Sequence, residues 1–143
     1  MTQIKSVKYF AIVLCSVLIL FAVACGPSRP SERDGQAAAE RRLNQLEEVV
    51  KVDSLKKTDG QDVNVFGVQS YVMSYQATSE CIAASGCAVF STGGVDLVFS
   101  ESYLAKIRGG RSFDDCTLFD RGAKFTTHGK LVFAKSEKGW TAQ

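Results

Sequence analysis

The sequence predicts an α+β domain in which one amphipathic helix packs on a curved antiparallel sheet of about four or five strands. Two observations support this fold class. The segment Ala37–Lys57 is rich in helix-forming residues, and its apolar residues recur at spacings of three and four. After Asp62 the apolar residues alternate instead, and β-branched and aromatic residues become frequent. Residues 37–143 are therefore predicted to form a single domain.

The predicted helix carries one apolar stripe, formed by Ala39, Leu43, Leu46 and Val50. Residues at such spacings share a helix face, and the stripe is too short for a coiled coil, so we expect it to pack on the core. Asp34 is the expected N-cap. The polar segment TDGQD, Thr58 to Asp62, is the expected turn that ends the helix.

The predicted sheet begins with a long strand, Val63–Thr78, which is bent or bulged at Gly67. Further strands are predicted at Ala88–Ser91, Val95–Phe99, Lys124–Thr127 and Leu131–Lys135. The segment SEKG is expected to turn the chain back, so that Trp140 lies on a closing hairpin. Ser102–Arg108 is compatible with either helix or loop.

Residues 1–24 are predicted to be an export signal. Lys5 and Lys8 precede a run of sixteen residues, Tyr9–Ala24, that is apolar except for Ser16. A helix that spans the hydrocarbon core needs about twenty residues, so a cleaved signal is favoured over a permanent membrane helix. A single-pass membrane protein that keeps this helix is the alternative.

The segment FAVACGPSRPS contains the predicted cleavage site, between Ala24 and Cys25. Ala22, Val23 and Ala24 match the small-residue pattern of signal peptidase. The same segment resembles the lipobox of bacterial lipoproteins. The resemblance implies that Cys25 receives diacylglycerol, becomes the first residue and carries a further acyl chain such as palmitate. Two or more chains suffice for stable anchoring.

The resemblance also implies a location in the cell envelope. In such lipoproteins an Asp after the lipidated Cys is associated with retention at the inner membrane, and this chain has Gly26 there. The outer membrane is therefore favoured if the host has two membranes. Residues 25–36 are predicted to be the lipid anchor and a flexible tether, because GPSRPSERDGQ contains both prolines and no large apolar residue.

The charge balance does not indicate binding to nucleic acid. The chain has 17 Lys and Arg residues against 15 Asp and Glu residues, and removal of Lys5 and Lys8 with the signal leaves fifteen of each. A chain without a basic surplus lacks the charge needed to neutralise phosphates. Attachment to the membrane is therefore assigned to the lipid on Cys25.

Three cysteines remain for disulfide formation if Cys25 is lipidated, namely Cys81, Cys87 and Cys116. The pair in CIAASGC, Cys81 with Cys87, is favoured because the sequence itself holds its ends close, while pairing through Cys116 stays open. Five intervening residues differ from the C-x-x-C of redox sites, which indicates a structural bond. With His128 these cysteines match the ligand types of a Cys₃His zinc site, but their spacing does not, so no metal or cofactor is predicted.

No catalytic residue is assigned. His128 is the only histidine, and a Cys116–His128 nucleophile pair would lack an identifiable third group to orient it. We interpret five acids as solvated loop residues: Asp96, Glu101, Asp114, Asp115 and Asp120. An enzyme of unrecognised type that uses His128 or these acids is the alternative.

The sequence therefore predicts a membrane-anchored envelope lipoprotein with a non-catalytic binding or structural role. Its expected partner is another envelope protein, or a small apolar ligand held by aromatic residues of the sheet. The aromatic candidates are Phe66, Tyr71, Tyr75, Phe99, Phe133 and Trp140. The order of a helix followed by strands ending in KLVFAKSEKGW resembles cystatin-like and nuclear-transport-factor-like envelope lipoproteins, a resemblance that implies architecture and no activity.

Overall fold

The structure is a computed structural model that describes residues 29–109 and 115–143. Two helices and seven strands occur within these residues: α1 (Glu32–Leu43), β1 (Val50–Val65), β2 (Val68–Cys81), β3 (Cys87–Thr92), β4 (Val95–Ser100), α2 (Glu101–Arg108), β5 (Thr117–Phe119), β6 (Lys124–Ser136) and β7 (Gly139–Ala142). All pairings are antiparallel, with strand orders β1-β2-β6-β7 and β4-β3-β5. The predicted α+β class is confirmed. The predicted single sheet is replaced by two, of four and three strands.

Helix α1 begins earlier than the sequence analysis predicts. Its N-cap is Ser31, which forms a capping box with Asp34. The backbone N–H of Asp34 donates to Ser31 Oγ at 3.2 Å, and the backbone N–H of Ser31 donates to Asp34 Oδ2 at 2.9 Å. Asp34 is therefore the third helical residue instead of the N-cap. Residues 32–36, predicted as tether, are helical.

The predicted continuation of this helix to Lys57 is wrong, because the chain turns after Asn44 and enters β1 at Val50. The Asn44 side chain accepts the backbone N–H groups of Val49 and Val50 at 2.8 and 3.0 Å, and donates to the Val50 carbonyl at 2.7 Å. β-branched residues then favour the strand. Two residues of the predicted stripe therefore lie outside the helix. Leu46 is 65 % exposed, and Val50 is buried as the first residue of β1.

The face of α1 that packs on the first sheet consists mainly of small residues. Its buried residues are Gly35, Ala38, Ala39 and Leu43, so the predicted burial of Ala39 and Leu43 is confirmed. A Cβ atom at Gly35 would lie 2.8 Å from Sδ of Met73 and 3.2 Å from Cδ2 of Leu55. The absence of a side chain at Gly35 therefore allows the helix to approach the sheet closely.

Polar side chains on a second face of α1 form hydrogen bonds with backbone groups of the edge strand β1. Glu40 Oε2 accepts the backbone N–H of Val52 at 2.9 Å, and Gln36 Nε2 donates to the Val52 carbonyl at 2.7 Å. Nearer the start of the helix, Glu32 Oε1 accepts the N–H of Lys57 at 2.9 Å. These side chains supply hydrogen bonds that an edge strand would otherwise lack.

Two hairpins shape the first sheet. Strands β1 and β2 are joined by a turn at Phe66 and Gly67, so the predicted bulge at Gly67 is instead a turn. The predicted turn Thr58–Asp62 is wrong, since this segment lies inside β1. The predicted closing hairpin is confirmed, with Ser136 opposite Gly139 where β6 meets β7.

Strand β6 is continuous, whereas the sequence analysis predicts two strands, Lys124–Thr127 and Leu131–Lys135. The chain remains extended through Gly129, which lies opposite Tyr75 of β2. A Cβ atom at Gly129 would lie 2.6 Å from Tyr75 Oη, so glycine leaves room for the tyrosine ring. This packing explains why glycine occurs at position 129, which the sequence analysis interprets as a break between two strands.

The second sheet follows β2 after a short connection bridged by Cys81 and Cys87. The predicted strands Ala88–Ser91 and Val95–Phe99 are confirmed within β3 and β4. The ambiguous segment Ser102–Arg108 is helical and forms most of α2. Strand β5, which the sequence analysis does not predict, completes this sheet on the free side of β3.

Candidate functional site

The predicted lipid anchor precedes the described residues. The signal segment 1–24, with the cleavage residue Ala24, and the lipidation residue Cys25 all fall outside them. The described chain begins at Arg29, whose Nη2 lies 2.6 Å from Asp62 Oδ2 on β1. Within residues 29–109 and 115–143, no helix combines the length and apolar character needed to cross a membrane.

Cationic side chains surround Tyr71 where Arg29 meets the sheet. The guanidinium carbon of Arg29 lies 5.8 Å from the centre of the Tyr71 ring, and Lys57 Nζ lies 5.7 Å from it. Lys57 Nζ also donates to Tyr71 Oη at 3.2 Å, and Trp140 packs edge-on against the same ring. These contacts hold the start of the described chain against the first sheet. No spacing in the sequence relates Arg29 to Asp62 or Tyr71, so the sequence analysis missed them.

The disulfide joins Cys81 to Cys87, which confirms the favoured pairing. Both cysteines are completely buried, with an S–S distance of 2.03 Å. Cys116 is half-buried just before β5 and lies outside this bond. Because the disulfide uses two of the three cysteines, Cys81 and Cys87 cannot act as thiolate ligands of a Cys₃His zinc site. The described ranges contain no group of three or more His, Cys, Asp or Glu residues placed to hold a metal ion.

His128 and Asp96 are in contact where the two sheets meet. Asp96 Oδ2 accepts the backbone N–H of His128 at 2.6 Å and lies 3.1 Å from its ring Nδ1. Asp96 Oδ1 accepts the Ser91 hydroxyl at 2.5 Å. The Asp96 side chain is only 5 % exposed, so its interpretation as a solvated loop acid is wrong.

The Asp96 contacts differ from those of a catalytic triad. In a triad the serine hydroxyl bonds to the imidazole, and the carboxylate holds the other side of the ring. Here the Ser91 hydroxyl bonds to the carboxylate itself, and the His128 side chain is 50 % exposed. Strand β7 pairs with β6 only from Phe133 onward, so Asp96 satisfies an N–H on the open edge of β6. We therefore assign this contact to holding β4 against β6.

The other predicted acids that the structure describes do not meet in one site. Asp115 forms a bidentate ion pair with Arg108, with both N–O distances at 2.8 Å, and these hydrogen bonds lower the pKa of Asp115. Glu101 is the first residue of α2, and Asp120 is exposed after β5. Asp114 lies outside the described residues.

The six aromatic candidates separate into two groups. Five are buried or half-buried in packed surroundings, namely Tyr71, Tyr75, Phe99, Phe133 and Trp140. Burial also raises the pKa of Tyr75. Phe66, by contrast, is fully exposed at the turn between β1 and β2. Gly67, which lies between strand-forming residues, is the sequence signal from which this turn could have been predicted, because glycine adopts positive φ without steric cost.

Two small clefts with apolar residues in their lining border α1. One, of about 90 Å³, lies between the end of α1 and β4 and includes Leu46 and Leu97. The other, of about 220 Å³, lies between α1 and the end of β7 and includes Ala38 and Leu131. Small-molecule sites usually have volumes of about 300–1,000 Å³. Neither cleft is large enough to enclose an apolar ligand of that size.

Comparison with known protein families, curated protein sequences and solved structures finds no match to this chain. Its function is therefore inferred from its own residues and contacts.

Proposed function

We propose that this chain is an exported envelope lipoprotein, held on a membrane by acyl chains on Cys25, whose domain is a non-catalytic binding or structural module. The observation that carries the proposal is the buried disulfide between Cys81 and Cys87. Such bonds form and persist in oxidising compartments outside the cytosol. The basic and apolar pattern of residues 5–24 supplies an export signal to reach one.

The length of the linker supports attachment close to the membrane. The N-cap of α1 is Ser31, so five residues, 26–30, separate Cys25 from the start of the helical segment. Six Cα–Cα steps span at most about 22 Å. A lipidated Cys25 would therefore keep the domain at the bilayer surface, closer than the longer tether predicted from the sequence would allow.

The surface favours a macromolecular partner over an enclosed small apolar ligand. Most of the sheet aromatics pack in the core, and the two clefts beside α1 that contain apolar residues are small. Leu46 and Leu97 are instead exposed along one cleft, where another envelope protein can contact them without opening the core.

Intact mass spectrometry of the protein purified from membranes of its native host tests the proposal. We expect a chain that begins at Cys25 and carries the added mass of its acyl chains. Cys25→Ser should remove that added mass. Cys15→Ser, which changes a cysteine inside the signal segment, is the matched control and should leave the mature mass unchanged.

Two other results would contradict the proposal in different ways. A chain cut at the same place but without acyl mass would identify an exported domain without a lipid anchor. A chain that keeps residues 1–24 would overturn the export signal itself and favour the single-pass alternative.

A further inference from the structure

The turn between β1 and β2 exposes a continuous apolar patch, Val65 to Val68, which we call the hairpin tip. Phe66 is fully exposed, and Val65 and Val68 are each 47 % exposed. Phe66 buries no area within the described domain, and about half of each valine stays in contact with solvent. Folding therefore does not account for the apolar composition of the hairpin tip, and an exposed patch of this kind indicates an interaction surface.

Phe66 also adopts a backbone conformation that its residue type disfavours. The φ angles of Phe66 and Gly67 are +51° and +84°, as in a type I′ turn. The first position of such a turn favours Asn, Asp or Gly, and a bulky residue is strained there. Asn64 Oδ1 supports the turn by accepting the backbone N–H of Gly67 at 2.8 Å. A strained and exposed phenylalanine indicates that its side chain serves a function other than stability.

The sequence segment that carries the hairpin tip is uncharged. The segment VNVFGVQS, Val63 to Ser70, is uncharged in a chain of which 22 % of residues are charged. The charged residue before this segment, Asp62, is paired with Arg29. The hairpin tip can therefore enter an apolar phase without burying an isolated charge of its own.

The chain from the predicted lipid anchor reaches the domain at this same end of the hairpin. Arg29 contacts Asp62, which precedes Phe66 on the same strand and turn. Four strand residues span about 13 Å, and the four steps from Cys25 to Arg29 span at most about 14 Å. A bilayer that holds acyl chains on Cys25 thus lies within reach of the hairpin tip.

We propose that the hairpin tip inserts Phe66 into the interfacial region of the bilayer in which the acyl chains of Cys25 are anchored. The inference rests on the proposed lipidation of Cys25. Aromatic and aliphatic side chains bind favourably at this depth of a membrane. The lipid and the hairpin tip together make two contacts that orient the domain. The disulfide end of β2 then lies about 43 Å from the tip, facing away from the bilayer.

Depth-dependent quenching of tryptophan fluorescence tests the proposal on the full lipidated protein. Phe66→Trp protein is purified from host membranes and reconstituted into phosphatidylethanolamine–phosphatidylglycerol vesicles, with and without bromine on the acyl chains. Ala84→Trp, at an exposed position beyond the opposite end of β2, is the matched control. The unmodified protein measures the contribution of Trp140.

We expect bromine to reduce the emission of the tryptophan introduced by Phe66→Trp about twofold or more, and to leave the Ala84→Trp emission unchanged within error. Val68→Trp should show the same quenching as Phe66→Trp, so the test does not depend on one variant. If both hairpin-tip variants are quenched no more than Ala84→Trp, the proposed insertion is wrong. Blue-shifted but unquenched emission would overturn it in favour of a second copy or another protein.

Flotation and intact mass of the same samples separate this proposal from the proposed function. Protein that floats with vesicles and carries acyl mass, but shows no quenching, would overturn the insertion of the hairpin tip alone. Protein without acyl mass that fails to float would overturn the lipid anchor, and the insertion with it.

Discussion

Two tyrosines of β2 pack across positions where the adjoining strand carries glycine. A Cβ atom at Gly60 would lie 1.7 Å from Tyr71 Oη, and one at Gly129 would lie 2.6 Å from Tyr75 Oη. Sequence alone places Gly60 in a turn and Gly129 between two strands, because glycine commonly marks such breaks. Both glycines lie inside strands, where they provide space for a ring.

The strain at Phe66 predicts that Phe66→Asn stabilises the domain. Asparagine tolerates positive φ better than phenylalanine, and Phe66 is fully exposed, so the substitution should raise the free energy of unfolding by about 1 kcal/mol. Urea denaturation measures this change. Phe66→Ala is the control, since alanine also disfavours positive φ. If Phe66→Asn is no more stable than Phe66→Ala, the prediction is wrong.

Among the larger elements, helix α1 acts as a connector between strands that do not pair with each other. Glu40 accepts the backbone N–H of Val52 on β1, and Arg42 donates to the carbonyl of Lys130 on β6. The apolar face between these polar contacts packs on the sheet. The helix therefore supplies both core packing and edge protection, of which only the first is evident from hydrophobic spacing.

The capping box of α1 predicts a pH-dependent effect of Ser31→Ala. Hydrogen bonds from Ser31 lower the pKa of Asp34 below its ordinary value of 3.8. The stabilisation that these hydrogen bonds give the folded domain is thus complete above pH 3.8. It is lost as the pH falls through the lowered pKa of Asp34 in the folded state. At about pH 6, Ser31→Ala should cost about 1 kcal/mol in unfolding free energy.

Denaturation at about pH 6 and at about pH 2.5 tests this expectation. The difference between wild type and Ser31→Ala should shrink at the lower pH, because the carboxylate of the capping box becomes protonated in the wild type. A difference that stays constant or grows on acidification would contradict the assigned pairing of Ser31 with Asp34. Thr58→Ala, an exposed change in β1, is a suitable reference for substitutions that leave the cap intact.

The junction between β4 and β6 predicts unequal effects of its two polar partners. Asp96→Ala removes the acceptor of the His128 N–H and should cost about 2–3 kcal/mol in unfolding free energy. His128→Ala keeps that backbone bond and removes only a half-exposed ring, so its cost should stay below about 1 kcal/mol. Urea denaturation of both variants provides the comparison. Equal costs would contradict the assignment of Asp96 to the strand edge.

Across the whole molecule, the disulfide and one connecting segment join the two sheets in addition to the contact between Asp96 and His128. The disulfide links the end of β2 to the start of β3. In the segment after α1, Glu47 accepts the backbone N–H of Ser100 at 2.8 Å and its hydroxyl at 2.9 Å. Ser100 is also the N-cap of α2. Residues far apart in sequence thus position the second sheet against the first.

Removal of the disulfide should destabilise the whole domain. The bond closes a short loop, with a sequence separation of 6, and its loss should lower the unfolding free energy by about 2 kcal/mol. The paired substitution Cys81→Ala with Cys87→Ala tests this by urea denaturation. Wild-type protein reduced chemically is the control, because it loses the bond and keeps both side chains. Unchanged stability in both would contradict the expected role.

Patterns that depend on neighbouring residues predicted part of this structure. The α+β class, strands β3 and β4, the closing hairpin and the Cys81–Cys87 bond all follow from short-range alternation, turn residues and a short cysteine spacing. Apart from the fold class, these features are local, because each is formed by residues within about a dozen positions of one another. The buried half of the helical stripe, Ala39 with Leu43, belongs to the same class.

Contacts between distant residues decided the rest. Residues 44–57 favour helix by composition, yet β1 pairs with β2, and Asn44 turns the chain into it. The gain from pairing and burying a strand outweighs intrinsic helix propensities of a few tenths of a kcal/mol per residue. The contacts of Arg29 with Asp62, and of Asp96 with His128, join residues that lie far apart along the chain. Spacing along the chain carries no information about such pairs, because packing of the folded strands brings them together.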